Sequence, residues 1–136
     1  MKRLLVLLLA FALLLCSCGT AEYDIDLIVS DIISPSMAYA EAANMNANPK
    51  DYLGQTIRAE GCIFADGDRY LIEIADTAGC CSEYLEIQLA EGLKYPDEEK
   101  IMYVYGTWNS YEKSGKTLYR IEADKMELSI YEKEGA

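Results

Sequence analysis

The sequence contains no histidine, only three prolines and a single tryptophan, and its acidic residues outnumber its basic ones by 23 to 12. The missing histidine excludes His-based catalytic triads, acid–base catalysis by histidine and histidine ligands to a metal. The net charge of −11 opposes binding to nucleic acid, because that affinity comes largely from protein cations that replace counterions. With 136 residues, 51% of them hydrophobic, the chain has room for one domain with a core.

The longest apolar run, residues 4–15, is too short to cross a membrane. Its twelve residues follow Lys2 and Arg3. As a helix they would span about 18 Å of a hydrocarbon core that is about 30 Å thick. A short cationic start before a brief apolar run is typical of a secretory signal peptide, so we expect residues 1–17 to be removed.

The leader ends in a run that resembles the lipobox of bacterial lipoproteins. Leu15 stands at the −3 position, Cys16 and Ser17 are the small residues at −2 and −1, and Cys18 follows. Cys16 is the weaker acceptor, because Leu15 would then occupy a position that requires a small side chain. The resemblance implies lipidation of Cys18, and therefore a chain anchored in the lipid bilayer on the outer face of the bacterial cytoplasmic membrane. Cleavage removes two cations and no acid, which takes the charge from −11 to −13.

Beyond the leader, the sequence predicts a mostly β domain with a short N-terminal helix. Residues 18–33 form the lipidated N-terminus and a mostly extended lead-in. Pro35 follows an N-capping serine and begins a helix that ends before Pro49. From Gln55 onward, apolar and polar residues alternate in five strands. Five strands with one apolar face each must close on themselves, so we expect a five-stranded OB-like Greek-key barrel over residues 34–128, with a tail over 129–136.

Several motifs within residues 34–128 resemble a family of small Firmicutes lipoproteins and secreted proteins that contain an OB-like domain. The resemblance is carried by residues 48–57 with their Tyr-Leu-Gly element, by residues 74–81 with the Cys-Cys doublet, and by residues 95–99 and 104–108. It implies an OB-like fold and a location outside the cytoplasm. It supplies no reaction, and it assigns nothing to Cys62.

Besides Cys18, three cysteines lie beyond the leader, namely Cys62, Cys80 and Cys81. An odd number outside the cytoplasm leaves one thiol without a disulfide partner. A bridge within the doublet is strained, because adjacent Cα atoms are about 3.8 Å apart and disulfides prefer about 4.4–6.8 Å. One alternative is a structural disulfide or buried thiols. The other is a zinc, copper or thiol-responsive site that joins all three cysteines, with Glu60 or Asp76 as a fourth ligand. So many nearby acids should raise the thiol pKa values, which weakens metal binding near neutral pH and argues against a nucleophilic role.

The outward face of the second and third strands is the usual ligand surface of OB-folds. Alternation places on this face Leu71, Glu73, Tyr84, Glu86 and Gln88. No phosphate-binding glycine loop, nucleophile elbow or zincin motif accompanies it. We therefore expect a monomeric, non-enzymatic binding module without a cofactor, whose ligand is a protein, peptide or small molecule and not a nucleic acid. The alternatives are the cysteine site described above and a carboxylate-dependent hydrolase of cell-wall material.

Overall fold

The computed structural model describes residues 24–30, 34–96 and 99–130. The predicted signal peptide, its cleavage site and Cys18 lie outside the described residues, as do residues 131–136 of the predicted tail. The elements are β1 Leu27–Val29, α1 Pro35–Ala47, a 3₁₀ turn Pro49–Tyr52, β2 Thr56–Asp66, β3 Arg69–Ala75, β4 Ser82–Leu89, β5 Lys100–Lys113 and β6 Lys116–Leu128. None of the helices in this part of the chain has the length and apolar character that crossing a membrane requires.

Helix α1 forms where the sequence predicts it. Ser34 adopts an extended backbone at the N-cap, and Pro35 occupies the first turn, where its missing N–H costs nothing. Ala38, Ala42 and Met45 are buried along one side, as their helical spacing requires. This side packs α1 against β1, β3 and β4. The helix therefore covers the sheet beside the outward face that was predicted to bind a ligand.

The strands form one sheet in the order β1-β2-β3-β4-β6-β5, and β5 also pairs with β2. Five of them, β2 to β6, thus form a closed ring of pairings. All pairs in the ring are antiparallel except β4 with β6, which is parallel. The mostly β prediction is confirmed, and the arrangement is OB-like.

The described residues contain six strands, whereas the sequence predicts five. The additional strand is β1, which lies in the segment expected to be an extended lead-in and pairs in parallel with β2. Val29 is fully buried, and Leu27 packs against the core. This segment joins the sheet because its apolar side chains are buried between α1 and the other strands.

The core is continuous from α1 into the ring, and Trp108 is its largest side chain. The Trp108 indole Nε1 donates a hydrogen bond to the Pro49 carbonyl at 3.0 Å. Its backbone N–H donates to Gln55, and its carbonyl accepts from Gly54. The 3₁₀ turn after α1 is thereby joined to the middle of β5, which sets the position of the helix relative to the sheet.

Two glycines allow β2 and β5 to approach their neighbours closely. A Cβ at Gly61 would overlap the Glu73 carbonyl oxygen on β3, and a Cβ at Gly106 would overlap the Glu122 carbonyl oxygen on β6. Gly106 also marks a change of register between β5 and β6, and such irregularities increase the local bend. Closure of a ring of only five strands therefore depends on the absence of side chains at these two positions.

We expect Gly106→Ala to lower the free energy of unfolding by about 2–3 kcal/mol, because the new methyl group meets backbone on β6 that cannot rotate away. Urea unfolding measures this. Gly67→Ala in the β2–β3 turn is the control: its φ is +64° and the space around it is open, so it should cost only about 1 kcal/mol. Equal losses in the two variants would contradict the role assigned to Gly106.

Candidate functional site

A groove of about 550 Å³ lies on the outward face of β2, β3 and β4. Strand register places its residues side by side. Phe64 on β2 is opposite Leu71 on β3, which is opposite Glu86 on β4. Glu73 and Tyr84 form the next pair along the same two strands. Because residues i and i+2 of a strand point to the same face, the two rows form one surface.

Aromatic and aliphatic side chains supply the apolar part of the groove. The rings of Phe64 and Tyr84 meet edge to face with centroids 5.8 Å apart, and Tyr84 is 45% exposed. Leu71 lies beside them, while Leu118 and Tyr119 line the groove from β6. Edge-to-face packing holds the two rings in place and leaves part of Tyr84 open to a ligand.

Charged groups form the polar part of the groove, and they are paired with one another. Arg69 Nη2 lies 2.6 Å from Asp66 Oδ2, and its Nη1 lies 3.7 Å from Glu86 Oε2. The hydrogen bond to Asp66 raises the pKa of Arg69. Tyr111 donates a hydrogen bond to Glu86 at 2.6 Å, and burial together with this bond raises the pKa of Tyr111. Two carboxylates around one guanidinium leave the groove with a net negative charge.

Helix α1 closes one side of the groove through Asn46. The Asn46 side-chain amide donates to Glu83 Oε2 at 2.7 Å and to the Tyr84 carbonyl at 3.2 Å. The last turn of α1 is thereby fixed against β4. The groove is consequently bordered by a helix as well as by strands.

The structure brings together part of the predicted ligand face. Leu71, Tyr84 and Glu86 line the groove. Glu73 lies beside it and accepts hydrogen bonds from Ser82 at 2.6 Å and from Tyr84 at 3.4 Å. Gln88 does not line this groove and instead borders a second concavity of about 320 Å³. Gln88 is opposite Glu122, where β4 leaves this face to pair with β6.

Sequence reasoning missed several residues of the groove. Phe64 and Arg69 flank the β2–β3 turn, and the alternation that placed Leu71 on this face would have found them if it had been extended through the hairpin. Asn46, Leu118 and Tyr119 carry no such signal, because a helix and a distant strand bring them here only after folding.

A second cluster lies in the loop between β3 and β4, where Asp76, Cys80 and Cys81 bring their potential ligand atoms within 4.8 Å of one another. The two Sγ atoms are 3.7 Å apart, and Cys80 Sγ lies 3.3 Å from Asp76 Oδ2. The backbone N–H groups of Cys80 and Cys81 donate to Asp76 Oδ1 at 3.0 and 3.4 Å. Asp76 is therefore the organising residue of this loop.

Hydrogen bonding in the loop shifts two pKa values in opposite directions. The Cys80 thiol donates to the Asp76 carboxylate, which raises the pKa of Cys80 to about 11, and neighbouring Cys81 contributes to this shift. The same hydrogen bond, assisted by backbone N–H groups, lowers the pKa of Asp76. Cys80 is accordingly a thiol at neutral pH, as the surrounding acids predict, and is a poor nucleophile.

The predicted site that joins all three cysteines needs correction. Within the described residues, the cluster of potential ligands includes the doublet and Asp76 but not Cys62. Cys62 is half-buried in β2 opposite Glu73, whereas the doublet lies beyond the end of β3. Ile74 and Ala75 separate Glu73 from Asp76, and Cys62 lies outside the cluster that Asp76 forms with the doublet.

Glu60, the other fourth ligand considered, is occupied elsewhere. It is 1% exposed, and its two carboxylate oxygens accept hydrogen bonds from Ser30 at 2.6 Å and from Ser129 at 2.5 Å. These bonds hold the residue after β1 and the residue after β6 against β2. Glu60 is therefore a structural residue that holds both ends of the domain.

Comparisons with known proteins identify no family. No family model matches the chain, and no curated protein matches it. Among solved structures, the chain is similar to the N-terminal domain of PriB protein from Thermoanaerobacter tencongensis, whose structure is described as dimeric. The identity is 15% and the TM-score 0.44, and the match covers 54% of this chain and 94% of that chain.

The predicted exclusion of nucleic acid as a partner is contradicted, and the partner prediction made from the sequence is not carried forward. The physical error lies in the use of a net charge summed over the whole chain. OB-folds bind oligonucleotides on one local face, where stacking on aromatic side chains contributes alongside charge.

We expect Asp76→Asn to accelerate alkylation of Cys80 at mildly alkaline pH by about fivefold or more. Removal of the carboxylate charge lowers the raised pKa of the thiol, which increases the thiolate fraction. Peptide mapping after timed treatment with iodoacetamide measures the rate, with Asp124→Asn on β6 as the control. An unchanged rate in Asp76→Asn would contradict the assigned cause of the shift.

Proposed function

We propose that this protein is a non-catalytic binding module, anchored to the outer face of the bacterial cytoplasmic membrane through Cys18. The observation that carries the binding function is the groove across β2, β3 and β4, where Phe64 and Tyr84 form an apolar surface beside paired charges. A concave, largely apolar surface with a few convergent polar groups is the usual form of a ligand site.

The composition of the groove defines the chemistry of its ligand. The ring of Tyr84 is partly exposed and can contact a flat or apolar group. Asp66 and Glu86 offer carboxylate oxygens to hydrogen-bond donors or to a cation, and Arg69 holds both carboxylates in position. The ligand is therefore an extended molecule that presents an apolar group beside a donor or cationic group.

The absence of catalysis is part of the proposal. Of the two carboxylates in the groove, Glu86 is engaged by Arg69 and Tyr111 and Asp66 by Arg69, as expected for recognition residues. The chain contains no histidine to move a proton, and the Cys80 thiol is held protonated by Asp76. These features support recognition rather than bond cleavage.

The proposed membrane location rests on the predicted leader and on the short chain that connects Cys18 to the domain. Asp26 is hydrogen-bonded to Thr56 on β2, so the tether between Cys18 and the domain has at most seven residues, 19–25. Fully extended, such a tether reaches at most about 25 Å. The domain therefore stays close to the bilayer and binds ligands at the cell surface.

We expect short random peptides selected on the immobilised protein to converge on sequences with an aromatic or aliphatic residue next to lysine or arginine. Tyr84→Ala should weaken the selected peptides by about tenfold, because loss of a central aromatic contact typically costs 1–2 kcal/mol or more. Fluorescence anisotropy with a labelled peptide measures this.

The control for that experiment is Leu53→Ala, since Leu53 is also 45% exposed but lies outside the groove. It should leave peptide affinity unchanged. A labelled single-stranded oligonucleotide serves as the second probe. Oligonucleotide binding that is lost in Tyr84→Ala, with no peptide selected, would contradict the ligand chemistry proposed here.

We expect Cys18→Ala to abolish incorporation of labelled palmitate into the protein during growth. Cys16→Ala is the matched control, and it should retain the label because alanine is also small at the −2 position. Autoradiography of the immunoprecipitated protein measures both. Retention of the label in Cys18→Ala, or its loss in Cys16→Ala alone, would contradict the assigned anchor.

A further inference from the structure

In the loop between β3 and β4, two separations between potential ligand atoms are close to those of a tetrahedral metal site. Two sulfurs bound to a tetrahedral zinc at about 2.3 Å each lie about 3.8 Å apart, and a bound sulfur and oxygen lie about 3.5 Å apart. The Sγ atoms of Cys80 and Cys81 are 3.7 Å apart, and Cys80 Sγ is 3.3 Å from Asp76 Oδ2. A linear two-coordinate ion would instead require sulfurs about 4.6 Å apart.

Backbone hydrogen bonds hold these groups in place. The Asp76 N–H donates to the Cys81 carbonyl at 2.9 Å and closes the loop, and the Gly79 N–H donates to the Asp76 carbonyl at 3.1 Å. The Cys80 N–H donates to Asp76 Oδ1, which leaves Oδ2 facing the Cys80 thiol. Little of the loop therefore has to move when the three ligand atoms converge on an ion.

We propose that Asp76, Cys80 and Cys81 bind one thiophilic divalent cation of the zinc class, with water as the fourth ligand. Two sulfurs and one carboxylate oxygen suit tetrahedral zinc, whereas magnesium and calcium require oxygen ligands. Binding releases the two thiol protons to solvent, and no electron is transferred. Two thiolates and one carboxylate with Zn²⁺ leave the complex with one negative charge.

The surroundings of the loop favour a cation over the competing disulfide. The loop carries the Asp76 carboxylate and is closely followed by Glu83 on β4, so a cation there would meet negative charge. A disulfide between adjacent cysteines is strained, because their Cα atoms are closer than disulfide geometry prefers. Both sulfurs are therefore expected to remain available to a metal.

This site goes beyond the proposed function, and the two can fail separately. None of its three ligands lines the groove. A chain that binds peptides and no metal would retain the proposed function and lose this inference. A chain that binds the metal and no peptide would do the reverse.

The test is a titration of the mature chain in detergent with cobalt(II), with the thiols kept reduced by a phosphine. We expect one cobalt per chain, with thiolate-to-cobalt charge-transfer absorption that zinc abolishes by displacement. Cys80→Ser and Cys81→Ser should each lose this absorption, and Asp76→Ala should weaken binding by about tenfold or more. Cys62→Ser is the matched control and should bind as the natural chain does.

A second measurement uses the unmodified chain, so that it does not depend on the folding of variants. Zinc should protect Cys80 and Cys81 from alkylation, and it should leave Cys62 unaffected. Magnesium at the same concentration should protect neither. Absence of the cobalt absorption under reducing conditions, equal alkylation of the doublet with and without zinc, or a loss of absorption in Cys62→Ser equal to that in Cys80→Ser would each overturn the proposal.

Discussion

The pairing of β2 with β5 is the constraint on which the rest of the domain depends. It joins the two ends of the row β2-β3-β4-β6-β5 into a ring, over a register that extends from Thr56 opposite Thr107 to Ile63 opposite Lys100. A ring of five strands is narrow, so the backbones must bend and approach closely. Gly61 and Gly106 permit that approach. Glu60, next to Gly61 on β2, accepts hydrogen bonds from Ser30 and Ser129, which lie near the two ends of the domain. The same pairing thus removes the free edges of the ring and encloses its apolar face.

The groove is a consequence of this closure and of the position of α1. The groove lies on the outward face of β2, β3 and β4, and it is bordered by Asn46 at the end of α1 and by Leu118 and Tyr119 on β6. The face carries the aromatic rings of Phe64 and Tyr84, and Arg69 lies between two carboxylates. A cationic side chain is thus held at a defined place in the groove, although the whole chain is strongly acidic. Local arrangement, rather than net charge, decides what such a surface can recognise.

The loop between β3 and β4 shows how one carboxylate can order a short segment. Asp76 accepts hydrogen bonds from two backbone N–H groups and from the Cys80 thiol, and the loop is closed by its own backbone. The carboxylate that keeps the thiol protonated is also the group that would share a metal with it. Low nucleophilicity and metal binding are therefore compatible in this loop, because a bound cation can displace the proton of a weakly acidic thiol.

The sequence by itself determined the elements that depend on near neighbours. Alternation of apolar and polar residues marks the strands of the ring, and Pro35 and Pro49 mark the ends of α1. These signals are visible in the sequence because strand and helix periodicity depends on residues a few positions apart. It also placed Leu71, Tyr84 and Glu86 on one face. Only the tertiary structure decided that β1 joins the sheet, that Asn46 and Tyr119 reach the groove while Gln88 leaves it, and that Asp76 rather than Cys62 accompanies the doublet. These contacts join residues that are far apart in the chain, or they depend on the path of a loop. They are determined by packing and by closure of the ring, which a local sequence pattern does not predict.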